Sequence, residues 1–305
     1  MTVEAIPRLM LGSCPDSWGV WHPDDPLQTP WNRFLDEVAE VGYEWLELGP
    51  YGYLPTDPRQ LRDELTSRQL KVAGGTILGA SGLHRSGDLP EIIAESRKVA
   101  ALTAAVGASH VIFVPVPGYR DDITGAYLEP AMLSEDEWAT LISSIDEVGK
   151  VISEEFGLKL HFHPHADSHV ETGVQISRFL DDTDPRYVSL CLDTGHMAYR
   201  RADVIALLRD YPDRVGYVHI KQMDPRIVAK AEAEDLSFGQ AVAIGASCEP
   251  PAGLPDIAPV VATLKQLHSA LFVIVEQDMY PCEFNRPKPI AARTRRYLRN
   301  AGIGA

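Results

Sequence analysis

The amino-acid sequence predicts an α/β chain folded as a single (β/α)8 TIM barrel over residues 1–305. The first observation is an alternation. Eight short apolar runs are each followed by a segment of helical period, with strand starts mostly about 25–40 residues apart, the size of one barrel unit. The second is how the later runs end. Leu158–Leu160 runs into His161-Phe162-His163-Pro164-His165, Tyr187–Leu192 into Asp193-Thr194-Gly195-His196, Val215–Val218 into His219, and Leu271–Val275 into Glu276. Buried strands that deliver ionisable side chains at their carboxyl ends are what a barrel with a site at that face requires. The third is that no Gly-rich phosphate loop follows the first strand, which weighs against a doubly wound sheet.

Leu9–Ser13 is the first strand, followed by a polar, aromatic loop with Asp16, Ser17, Trp18, Trp21 and His22. Phe34, Leu35, Val38 and Val41 mark one face of a helix from about Trp31 to Val41. Trp45–Gly49 is the second strand, with a helix from Asp57 to Arg68. Leu70–Thr76 is the third, followed by an Ala-rich helix from about Pro90 to Val106. His110–Val116 is the fourth, and a long helix then runs to about Phe156, with Ser134 as N-cap and Glu137 completing a capping box. The strand near Leu158–His163 precedes a helix around Val174–Leu180, and Tyr187–Asp193 precedes one around Asp203–Asp210. A longer excursion, Lys221 to Pro255, separates the strand Val215–Ile220 from the helix Ile257–His268. Leu271–Glu276 and the Arg-rich helix Pro287–Asn300 end the series.

Hydrophobic residues make up 45% and charged residues 23% of the chain, enough for one large core. The formal net charge of −15 argues against nucleic acid and anionic membranes as partners. No apolar run reaches the roughly 18 residues of a membrane-spanning helix. Met1–Arg8 lacks the basic start and apolar core of a signal peptide, and the four cysteines are scattered without a CxxC pair. A reduced, cytoplasmic setting is the expectation.

Position at strand ends selects Glu47, then His161, His163 and His165, Asp193 and His196, His219 and Lys221, and Glu276 and Asp278. Period-two alternation puts His161, His163 and His165 on one side of their strand, and likewise His219 with Lys221 and Glu276 with Asp278. Mixed imidazole and carboxylate donors suit Mn²⁺, Co²⁺, Fe²⁺ or Zn²⁺ and match an all-oxygen Mg²⁺ or Ca²⁺ cage poorly. Asp193, His219 and Glu276, brought to one rim, read as a metal-binding set. Blander roles compete one by one. Asp193 is placed to cap the next helix, Thr194-Gly195 to be only a turn, and Glu47 to be a barrel-interior residue paired with Lys71 or Arg8. Trp18 and Trp21 are placed to pack as a lid, and His161 and His169 to be structural histidines.

Several pieces resemble one family over nearly the whole chain: Glu47-Leu48-Gly49, His163-Pro164-His165, Asp182-Thr183-Asp184-Pro185, Leu192–His196, Val218-His219-Ile220-Lys221 and Val275-Glu276-Gln277-Asp278. These resemble the xylose isomerase-like barrels, the sugar phosphate isomerase/epimerase family, and within it the inosose dehydratases. The resemblance implies one divalent metal ion, Mn²⁺ or Co²⁺ favoured and Zn²⁺ or Fe²⁺ compatible, held by His163, Asp193, His219 and Glu276. The strand-five ligand is usually Glu in the epimerases; His163 falls there in this chain, with Glu171 as a competitor. That departure fits a two-carboxylate epimerase poorly and β-elimination or a hydrolase-like variant better. A second departure is Cys248–Gly253, where the dehydratases usually carry a Gly-rich turn.

The implied chemistry removes a proton α to the carbonyl of a keto-cyclitol or keto-sugar through a metal-bound enediolate, followed by dehydration; sugar isomerisation or epimerisation is the alternative. His165 and Glu276 are the expected proton-transfer groups. Lys221 and His196 hold hydroxyls or stabilise the enolate, and Glu47 and Trp18 are substrate contacts. The implied partner is a small polyol or keto-sugar, and a homo-oligomer is compatible with the family. A three-metal phosphodiesterase on the same barrel would need more ligands and a basic face, which this composition lacks.

Overall fold

The computed structural model describes residues 9–78, 82–267 and 270–304. Its strands are β1 (Leu9–Ser13), β2 (Trp45–Glu47), β3 (Lys71–Ile77), β4 (His110–Phe113), β5 (Lys159–Phe162), β6 (Val188–Asp193), β7 (Val215–Ile220), β8 (Gln222–Met223), β9 (Ser247–Cys248) and β10 (Leu271–Val275). All but β8 and β9 close into a parallel barrel in the order β1-β10-β7-β6-β5-β4-β3-β2. The expected (β/α)8 architecture is thus the one observed.

Helices α1 (Trp31–Val41), α2 (Pro58–Ser67), α3 (Leu89–Ala105), α4 (Glu135–Phe156) and α5 (Gly173–Asp182) follow β1 to β5. Each buries one apolar face; in α1 it is Phe34, Leu35 and Val38. Ser134 and Glu137 form the expected capping box of α4, and Gly157 ends that helix in the left-handed conformation. A short helix, α6 (Thr194–Tyr199), precedes α7 (Val204–Asp210) and was not legible as periodicity. The excursion after β7 folds as the β8–β9 ribbon with α8 (Pro225–Ala233) and α9 (Phe238–Ala243). Helices α10 (Ile257–Leu264) and α11 (Pro287–Asn300) complete the ring. His268, the expected end of α10, lies outside the described residues, as does Arg8.

The fourth strand stops at Phe113, short of the expected Val116, because Pro115 and Pro117 carry no N–H for a ladder. Inside the barrel, Ala73, Ile112, Cys191, Tyr217, Phe272 and Ile274 fill the lower layers. His161 belongs to this filling: its Nε2 lies 2.7 Å from His110 Nδ1 and its Nδ1 2.9 Å from Ser189 Oγ. Among the described residues, no helix is long and apolar enough to cross a membrane.

Candidate active site

β6 ends on Asp193, which is also the N-cap of α6. Its Oδ1 accepts the His196 backbone N–H at 2.7 Å, satisfying a first-turn donor. Its Oδ2 is buried with no hydrogen-bond partner. The oxygen that caps the helix and the oxygen left free to bind are therefore different atoms of one carboxylate. Thr194 Oγ1 donates to the Lys221 carbonyl at 2.7 Å and accepts the Lys221 N–H at 3.0 Å, tying the ends of β6 and β7. Gly195 leaves room for the Lys221 stem: a Cβ there would lie 2.3 Å from Lys221 Cγ. His196 Nδ1 accepts the Ala166 N–H at 3.1 Å, which leaves Nε2 facing Lys221 Nζ at 3.1 Å.

His163, just past β5, has both ring nitrogens buried and unpartnered. Its Nε2 stands 3.5 Å from Asp193 Oδ2 and 3.7 Å from Glu276 Oε2. His219 Nδ1 lies 3.0 Å from Glu276 Oε2 and 3.8 Å from Asp193 Oδ2, while its Nε2 lies 2.7 Å from Glu47 Oε1. Donors held roughly 2.0–2.2 Å from one centre are separated by distances of this size. His163, Asp193, His196 and Glu276 offer ligand atoms all within 4.8 Å of one another. His196, expected as a substrate contact, thus enters the donor group, and His219 abuts the same two carboxylate oxygens. Unsatisfied buried donors of this kind are costly without an occupant. The cluster fits a divalent metal ion.

The Lys221 ammonium lies 2.8 Å from Asp278 Oδ2, 3.0 Å from Glu276 Oε2 and 3.7 Å from Asp193 Oδ2. Burial favours its neutral amine, but Asp193, Asp278 and Glu276 outweigh burial and hold its pKa well above the ordinary lysine value. Burial likewise favours the acid form of Glu276; Lys221 and His219 outweigh it and hold that carboxyl well below its usual range. Burial, then His163 and Lys221, push His165 down to about 3, so the ring is neutral; its Nδ1 sits 2.7 Å from the Ala166 carbonyl. Burial raises Asp16 and Asp278, with the neighbouring Asp278 raising Asp16 further.

A cavity of about 560 Å³ opens above these groups, lined by His163, His165, His196, Lys221, Glu276 and Asp278, with Glu47, Asp16, Trp21, Asp122 and Phe238 around it. Two expected participants are elsewhere. Trp18 is fully buried in the outer core, its Nε1 donating to Glu37 at 2.9 Å, because the tight turn over Pro15–Trp18 points it inward. Trp21 lines the cavity in its place, stacked on Tyr280 at 5.1 Å. Glu171 is separated from the donor cluster. It accepts from Arg200 Nε at 2.6 Å and from the Tyr119 hydroxyl at 2.9 Å, after a left-handed turn at Asp167 (φ 62°). Of the competing reading of Glu47, the interior placement holds, but its partner is His219 and not Lys71, which reaches Glu44 at 2.5 Å. Asp16 was not singled out in the sequence, although its place three residues past β1 was a usable signal. Phe238 had no such signal; its ring lies 4.4 Å from that of His196 only because α9 folds back over the rim.

A family model for the xylose isomerase-like TIM barrel matches residues 35–301. An inosose dehydratase of Geobacillus kaustophilus (strain HTA426) is 32% identical over 253 residues, covering 82% of this chain and 80% of that protein. One from Bacillus velezensis (strain DSM 23117 / BGSC 10A6 / LMG 26770 / FZB42) is 29% identical over 293 residues, covering 92% and 95%. Among solved structures, the IolI protein with a bound zinc atom has a TM-score of 0.72 at 15% identity, covering 96% of this chain and 97% of that one. An L-ribulose 3-epimerase has a TM-score of 0.69 at 17% identity, covering 95% and 93%. At such identities the solved structures speak for the fold. With the family model spanning most of its length, the chain belongs to the xylose isomerase-like TIM barrel family.

Proposed function

We propose that this barrel is a divalent-metal-dependent dehydratase acting on a keto-cyclitol or keto-sugar, of the inosose dehydratase type. The observation that carries this reading is the buried, unpartnered His163 ring, which lines a cavity of sugar size, with the equally unpartnered Asp193 Oδ2 3.5 Å from it and the charged Lys221 beside that oxygen. The inosose dehydratase relatives support the substrate class. His163, Asp193, His219 and Glu276 would hold the ion, Mn²⁺ or Co²⁺ being favoured. When bound it supplies Lewis acidity that makes a proton α to a carbonyl more acidic.

The remaining work falls to the chain's own side chains. His165 keeps its proton on Nδ1, against the Ala166 carbonyl, and so offers Nε2 as proton acceptor. Glu276 is the second proton-transfer group. Lys221 lends positive charge to an oxyanion formed in the cavity. Expulsion of a hydroxyl needs a proton donor, and Asp16 and Asp278 are cavity carboxyls whose burial favours the acid form. His163, where epimerases of the family carry a carboxylate, favours elimination over epimerisation. The test is incubation of chelator-stripped protein, reconstituted with Mn²⁺ or Co²⁺, with a panel of inososes and ketoses. Loss of one water by mass is expected. An unchanged mass with a shifted NMR spectrum would make it an isomerase or epimerase, and no change across the panel overturns both.

A further inference from the structure

A second group of metal-ligating side chains lies outside the cavity just described. His84 follows β3, Glu129 follows β4 and His169 follows β5, so three successive βα loops converge on one point. One ligand atom from each lies within 4.8 Å of the other two. His84 Nε2 is 3.1 Å from Glu129 Oε2, and His169 Nε2 is 3.7 Å from Glu129 Oε1. The side chains are 6%, 22% and 8% exposed, and the two imidazole rings meet edge to face at 4.8 Å. The Pro130 carbonyl lies 3.1 Å from His169 Nε2.

We propose that His84, Glu129 and His169 form a second divalent-metal site, of the zinc or cobalt class, that clips these three loops together. Two imidazoles and one carboxylate, with the Pro130 oxygen nearby, are a donor set that such ions prefer, and the His–Glu separations of 3.1 and 3.7 Å suit ligand atoms held about 2 Å from a shared centre. The locus already draws a cation: Arg85 Nη1 lies 2.7 Å from Glu129 Oε2 and 3.2 Å from His84 Nε2. That side chain is 46% exposed and its Nε also holds Asp88 Oδ2 at 2.7 Å, so it can turn wholly to Asp88 when an ion enters. Arg85 is therefore a built-in competitor that sets the affinity. The site is separate from the cavity floor, yet His169 is on the same loop as His163 and His165. Occupancy would stiffen the segment that presents them.

The test counts metal. Full-length protein is stripped with chelator, dialysed against Zn²⁺ or Co²⁺, and analysed for metal per chain. Two equivalents are expected in the wild type. One should remain in Asp193→Asn, which spares the outer site, and one in either Glu129→Gln or His84→Gln, which spare the inner one. Arg85→Ala should tighten the outer equivalent several-fold. In the Asp193→Asn background the visible Co²⁺ spectrum should report the outer site and vanish on adding Glu129→Gln. Metal content that neither Glu129→Gln nor His84→Gln lowers overturns the proposal, whether the wild type holds one equivalent or two. Neither outcome bears on whether the inner site supports dehydration.

Discussion

Glu47 Oε1 lies 2.7 Å from His219 Nε2, and both side chains are almost wholly buried. Thr76 Oγ1 donates to the other carboxylate oxygen at 3.2 Å, which fixes Glu47 from behind. The imidazole is thereby oriented with Nδ1 toward Glu276 and Asp193. A carboxylate behind a ligating histidine fixes its tautomer and raises its basicity. Glu47, expected from the sequence as a substrate contact, is placed to act through His219.

Replacing Glu47 with Gln should therefore weaken metal binding at the inner site by about 10–100-fold while leaving the barrel folded. Competition titration against a chromogenic chelator reads this directly. An affinity equal to that of the wild type would return Glu47 to the role of a substrate contact.

The division of labour on Asp193 separates two effects that are usually entangled. Asn keeps an oxygen able to cap α6, whereas Ala removes it; both remove the charged, unpartnered Oδ2. Both variants should lose the inner metal ion. In the stripped proteins, however, Asp193→Ala should be less stable than Asp193→Asn by about 1 kcal/mol. Metal analysis with urea denaturation measures both quantities, and equal stabilities would show that the cap contributes little.

The barrel and the strand-end histidines and carboxylates were legible because period-two alternation and position at the carboxyl end are local properties of sequence. His163, Asp193, His219 and Glu276 converge for that reason. What was not legible depends on how loops fold back. Trp18 and Trp21 are three residues apart in one aromatic loop, and only the turn at Pro15–Trp18 decides that Trp21 meets the cavity. Glu171 is close to His163 in sequence but is drawn off by Arg200, which comes from the end of α6. Phe238 reaches the site through an excursion whose helices are too short for periodicity to declare.

Gly195 carries a prediction that a turn residue would not. An added methyl group would meet the Lys221 stem at three carbons, Cγ, Cβ and Cδ, between 2.3 and 2.7 Å away. Lys221 is 1% exposed and cannot swing into solvent. Gly195→Ala should destabilise the fold by about 1–3 kcal/mol through overpacking. It should also abolish turnover by moving the ammonium, with the inner metal ion retained. Denaturation, metal content and activity on one preparation test this; a variant with full activity would mean that the lysine adapts.

Acid sensitivity should arise well away from the cavity, on the barrel floor. Burial, with a smaller contribution from Lys159, pushes His110 down to about 4, and burial drives its partner His161 well below the ordinary value as well. In the unfolded chain these imidazoles take up a proton near pH 6.5. Between that pH and about 4 the unfolded state therefore binds protons that the folded state refuses, so stability is present at neutral pH and lost as the pH falls. For His110 alone the loss is up to about 3 kcal/mol. Urea denaturation of chelator-stripped protein at pH 7, 6, 5 and 4 should show this decline, and His110→Gln should flatten it. If the two proteins lose stability in parallel across that range, the acid sensitivity comes from other groups.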